Sequence, residues 1–266
     1  MLRNVFLKTL RDQRRSLMWW GIGLVALTSL TLAFYPAFRD APEFEEIFER
    51  MPEALLKAFA GDFSDYTSPE GFLNSELFFF VVPLMFVIFA VAFGSGAIAG
   101  EEARGTLGLL LTSPTTRSQV VMQKFGAMAV SALALAVFLW VGLTAGAAIV
   151  DMDIGVWGMA SATFSAALLG LAFGTFALAL GCVTGNRGLS LGVASATAIA
   201  AYFLNALMPL VDSLAPLQKL SPFYYYIGSD PLTNGLSLLH VTVLVGLTAI
   251  ALGVALFSFE RRDLQG

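Results

Sequence analysis

The sequence predicts an all-α integral membrane protein. Six transmembrane helices are expected, with an N-terminal interfacial amphipathic helix and a short cytoplasmic helix between the second and third spans. Three observations carry this. Of the 266 residues, 57% are hydrophobic and 13% charged, against about 25% charged in soluble domains, and mean hydropathy is +0.77. Long charge-free windows recur along the chain. Lysine and arginine are unevenly divided between the segments that join them.

A spanning helix needs about 20 mostly apolar residues, because lipid offers unpaired backbone groups no partner. The windows 16–38, 77–100, 125–150, 154–186, 188–211 and 231–259 meet that length. Trimmed, they predict spans at about 17–38, 77–99, 125–148, 157–182, 189–210 and 238–258 in one transmembrane domain covering 1–266. The fourth and fifth windows are divided by Thr184-Gly185-Asn186, which supplies turn chemistry. The N-terminus MLRNVFLKTLRDQRRS resembles a signal sequence in charge, but the apolar run that follows is long enough to be kept as a span.

Six spans put both termini on one side. With that side cytoplasmic, Arg3, Lys8, Arg11, Arg14, Arg15, Arg104, Arg117, Lys124, Arg187, Arg261 and Arg262 lie inside. Arg39, Arg50, Lys57 and Lys219 lie outside, an 11 to 4 division that favours this orientation. Residues 1–15 place Leu2, Val5, Phe6 and Leu10 on one face and Arg3, Lys8, Arg11 and Arg15 elsewhere. That pattern fits a helix lying in the inner interface or a plain flanking charge cluster.

The outer loop 39–76 carries two helix starts at Pro42 and Pro52 and a capping Gly61. Phe44, Ile47, Phe48, Leu55, Leu56 and Phe59 give these short helices apolar faces, suited to an acidic lid or a gate. A second outer segment holds Phe223, Tyr224, Tyr225 and Tyr226, where an interfacial aromatic belt or a cargo contact is expected.

Several function classes are excluded. The formal net charge of −4 gives no basic surface for nucleic acid. Cys182 is the sole cysteine, so no intrachain disulfide forms, and His240 is the sole histidine, so multi-histidine metal sites are ruled out. GLSLG at 188–192 matches a nucleophile elbow, but it opens a span instead of joining a strand to a helix. Ser190 and His240 then sit near opposite membrane faces, too far apart for a dyad, and Ser95 in GSGAIAG fails likewise. Gly94 and Gly96 are better read as close-packing residues. No Walker A sequence occurs, and no acid or histidine lies at mid-membrane, where ion-coupled transporters place them. Any transport is passive or powered from elsewhere.

The segment GEEARGTLGLLLTSPTTRSQVVMQKF at 100–125 is the longest internal cytoplasmic stretch. A helix is expected over Glu101–Thr112, with Glu101 and Glu102 near its positive end. Leu107, Leu110 and Leu111 share one face, with Arg104 and Gly108 nearer its edges. Pro114 stops helix geometry at Ser113, and Thr115 or Thr116 can cap the helix through Arg117. An exposed leucine face without a core suits a docking knob for a cytoplasmic partner or a helix lying flat in the headgroup layer.

An acidic pair, Glu101-Glu102, is followed by Gly105-Thr106-Leu107, Leu109-Leu110-Leu111, Pro114, Arg117 and Lys124. In this the chain resembles the type-2 permease subunits of ATP-binding cassette exporters. PEALLKAF, PEGF at 69–72, SPFYYY at 221–226 and FERRDL at 259–264 look like the same group. The resemblance implies a six-helix half-transporter that pairs with a second permease copy or homologue in the cell membrane. A separate nucleotide-binding ATPase subunit would carry ATP and Mg, with no cofactor in this chain. The coupling helix implied by the resemblance falls at about Glu102–Leu111. The docking residues expected are Glu101, Glu102, Arg104, Gly105, Thr106, Leu107, Leu110, Leu111, Pro114 and Arg117, with Glu101, Glu102 and Arg117 as local ion partners. A scaffold that moves no solute, and a passive channel, are the alternatives.

Overall fold

The computed structural model describes residues 4–39, 68–107, 115–211 and 213–262. Six helical stretches among them are long and apolar enough to cross a membrane. They are Val5–Arg39, Pro69–Ala97, Arg117–Ile149, Val156–Thr184, Arg187–Leu210 and Leu238–Arg261, taken below as the first to sixth spans. No strand occurs among the described residues. The outer-loop helices expected around Pro42 and Pro52 lie outside the described residues.

Local chemistry sets the boundaries. Gly185 adopts the left-handed region (φ 65°) and closes the fourth span through its N–H to the Gly181 carbonyl, a conformation that costs glycine little. Asn186 then caps the fifth span by accepting from the Leu189 N–H, so two residues reverse the chain. Thr116 and Gln119 form a reciprocal capping box that starts the third span. Ser68 accepts from the Gly71 N–H at 3.0 Å, and Pro69 takes the first helical position, where its missing donor is harmless.

The second span begins earlier than its charge-free window. It is helical from Pro69, passes through a π-helical turn at Asn74–Phe78, and resumes at Val81. Pro83 offers no N–H to the carbonyl of Phe79 and crowds it, which places the irregularity one turn before the proline. Tyr226 repairs part of the disturbance, because its hydroxyl donates to the Phe78 carbonyl at 2.7 Å.

The fourth span is the axis of the bundle. Its most apolar window is 72% buried, against 17% for the sixth span. It packs against the second span through residues without side-chain bulk. A Cβ on Gly94 would collide with the Gly174 backbone carbonyl, and one on Gly170 would lie 2.8 Å from the Phe86 carbonyl oxygen. Close approach of this kind drives helix association in lipid, where apolar burial gives little. The first span lies on the third, with Val25 and Leu32 against Gly142 and Gly146.

Two expectations are corrected. Among the described residues no separate interfacial helix precedes the first span; one helix runs unbroken from Val5 to Arg39. Its amphipathic start is used inside the bundle, where Phe6 meets Gly126 and its N–H donates to Gln123 Oε1 at 3.1 Å. At 35 residues it measures about 52 Å, well over a hydrocarbon core of about 30 Å. The cluster at 223–226 is only half at the surface, with Tyr224 and Tyr225 partly exposed. Phe223 and Tyr226 are buried in a short helix, Pro222–Ile227, capped by Ser221. Ser165 donates to the Tyr226 carbonyl at 2.8 Å, which pins that helix on the fourth span.

Candidate coupling site

The second span ends at Ala97, and a single helical turn, Ala99–Ala103, follows it. That turn carries the acidic pair and aims its two members apart. Glu101 is 8% exposed and receives three cations and donors. Lys124 Nζ approaches Glu101 Oε1 at 2.9 Å, the Thr106 hydroxyl donates to Oε2 at 2.5 Å, and Arg104 lies 3.6 Å away. Burial pushes the Glu101 carboxyl up. The hydrogen bonds from Thr106 and Lys124, with the charges of Lys124 and Arg104, outweigh it and hold the group below its usual range.

Glu102 turns to the end of the sixth span, where it pairs with Arg262. The same guanidinium donates to the Cys182 carbonyl at 3.0 Å, at the end of the fourth span. Arg117, the first residue of the third span, donates to the carbonyls of Arg262 and Phe259 at 2.6 and 3.2 Å. Its guanidinium also lies 5.8 Å from the Phe259 ring centre. Glu260 accepts a hydrogen bond from Ser118. Four spans thus meet at one polar junction beside the second-to-third connection.

The predicted residues divide. Glu101, Glu102, Arg104, Thr106 and Arg117 all join this junction, where Glu101 and Glu102 form ion pairs, whereas Arg117 meets backbone carbonyls and a ring and no carboxylate among the described residues. The continuous helix over Glu101–Thr112 is not formed. It ends at Ala103, and Gly105 turns left-handed (φ 69°), with its N–H on the Glu102 carbonyl at 2.9 Å. Thr106 closes the turn by donating its N–H to the Glu101 carbonyl at 2.9 Å. The reversal removes Leu107 from the exposed face, and it lies in the apolar core, 4% exposed. Leu110, Leu111 and Pro114 lie outside the described residues.

Two partners were not identified from the sequence as site residues. Lys124 stood in the quoted motif, and its place about two helical turns inside the third span was its only signal. Arg262 is 160 residues from Glu102, and no local pattern joins them. Ser190 donates its hydroxyl to the Asn186 carbonyl at 2.9 Å, whereas His240 packs between Tyr224 and Tyr225 near the other end of the bundle. Among the described residues no group of three or more His, Cys, Asp or Glu could hold a metal ion.

This is a polytopic helical membrane domain whose polar chemistry is gathered at one end, beside an inter-span connection. The sequence model for ABC-2 family transporter protein matches residues 3–264, so the chain belongs to that family. No match was found among curated proteins. The chain is therefore a membrane permease subunit of an ATP-binding cassette transporter, a transport component, and the family implies an ATP-binding subunit as its partner.

Proposed function

We propose that the chain is half of the membrane pathway of an exporter for a lipid-like, drug-like or peptide cargo. A separate ATPase holding ATP and Mg docks on the connection between the second and third spans, and a second permease copy or homologue completes the pathway. Both termini and this connection face the cytoplasm of a cell-membrane protein, as the 11 to 4 cation division favours. With Leu107 committed to the core, the docking side chains are Leu110 and Leu111, flanked by Pro114 and Arg117.

The observation that carries this reading is the junction itself. A push on the connection reaches the third span through Glu101–Lys124. It reaches the sixth through Glu102–Arg262 and the fourth through Arg262 and the Cys182 carbonyl. Closure of the ATPase has a route to the spans wherever their two arrangements differ in contacts at this point. Leu110→Asp should abolish co-purification of the ATP-binding subunit while membrane insertion stays intact. Undiminished recovery of that subunit contradicts the docking.

A further inference from the structure

A cavity of about 470 Å³ opens beside the polar junction, between the start of the first span and the end of the second. Four basic side chains line it, Lys8, Arg104, Lys124 and Arg187, against two acids, Asp12 and Glu101. Glu101 is already satisfied by Lys124 and Thr106, so its charge is spent within the protein. Arg187 is exposed, forms no ion pair among the described residues, and lies against Gly96 and Gly100. The absence of side chains at those two positions leaves its guanidinium room to face the cavity. The planar guanidinium of Arg187 and the ammonium of Lys8, which shares the lining with Asp12, match phosphate oxygens.

The apolar surface leading to the cavity narrows the ligand further. Leu84 and Ile88 are exposed on the second span, and Ala92 continues their stripe at intervals of four residues, exposed and lining the cavity. Gly96, one turn further on, is the residue against which Arg187 rests. An acyl chain running along that stripe would bring its phosphate to Arg187 and Lys8. Basic pockets between spans at a membrane face hold anionic headgroups in this way. We propose that this cavity binds the phosphate of an anionic phospholipid, with Arg187 and Lys8 as its contacts and the Leu84–Ile88–Ala92 stripe as the track for a chain. The assignment does not depend on docking of an ATPase.

The test uses the full-length protein in nanodiscs of phosphatidylcholine doped with phosphatidylglycerol, released into detergent and weighed by native mass spectrometry. The wild type should retain bound phosphatidylglycerol in preference to phosphatidylcholine. Lys8→Gln/Arg187→Gln should lose retention by about tenfold or more, as removal of charge-assisted hydrogen bonds implies. Arg14→Gln/Arg15→Gln, which removes equal charge outside the cavity lining, should retain it. Gly96→Leu, which fills the cavity and keeps its charges, should also lose the lipid, and it reads the site if the double variant does not fold. Equal retention by wild type and both cavity variants overturns the proposal. A thermal shift from inorganic phosphate alone, without preference for phosphatidylglycerol, overturns the lipid assignment in favour of a soluble phosphate.

Discussion

The two ends of the bundle are held together by different chemistry. At the end where the second span begins, two of the joints among the described residues are neutral: Tyr226 on the Phe78 carbonyl and Ser165 on the Tyr226 carbonyl. Asn74 also donates to the Asp230 carboxylate at 2.9 Å. At the other end the joints are ion pairs between separate spans, Glu101 with Lys124 and Glu102 with Arg262. Between them the second and fourth spans press backbone to backbone at glycine. Neutral bonds and glycine contacts make a body that moves as one. The Glu102–Arg262 pair, partly open to water, can exchange partners at lower cost than the buried Glu101–Lys124 pair, which suits the end that must answer a partner.

This contrast can be broken in order of severity. Gly94→Leu should have the largest effect, since its side chain would enter the backbone of the fourth span. No monodisperse protein is expected in size-exclusion chromatography.

Lys124→Met comes next, because it strands a buried carboxylate. A loss of about 3–5 kcal/mol is expected by denaturant unfolding in micelles. Adding Glu101→Gln should recover part of it, as coupled neighbours do. If the double variant is as damaged as the two single losses added together, the pair is not coupled and the contrast between the ends weakens.

The same pair sets a pH dependence. The carboxyl of Glu101 titrates lower in the folded protein than in the unfolded chain. Its contribution is therefore fully present above the usual carboxylate range and disappears as pH falls through the lower folded value. Wild type should lose stability on acidification, and Lys124→Met should follow a flatter acid limb in the same melting series. Tyr226→Phe, at the neutral end, should cost about 1–2 kcal/mol with no change in that acid limb.

Much of the scaffold was legible in the sequence because its signals are local. The Gly185-Asn186 reversal, the Thr116 cap and the close packing at Gly94 each announce themselves within a few positions. The site was only half legible. Glu101, Glu102 and Arg117 stood out as charges in an apolar chain, but their partners depend on how spans meet. The leucine spacing after Gly105 reads as one helix face only if the helix continues. A left-handed glycine ended it, and Leu107 was drawn into a core that no nearby residue reveals. The N-terminal charges looked interfacial for the same reason. Phe6 on their apolar face packs at Gly126, more than a hundred residues away, and Phe223 and Tyr226 of the aromatic run were likewise buried by remote contacts.

The central claim is that the charged end, and not the neutral one, receives the ATP-binding subunit. A photo-crosslinking residue placed at Leu110 and, separately, at Leu236, an exposed position beside the start of the sixth span, would be compared in membranes holding both subunits. The account predicts an adduct with the ATP-binding subunit from position 110 and none from position 236. An adduct from 236 with none from 110 would contradict it.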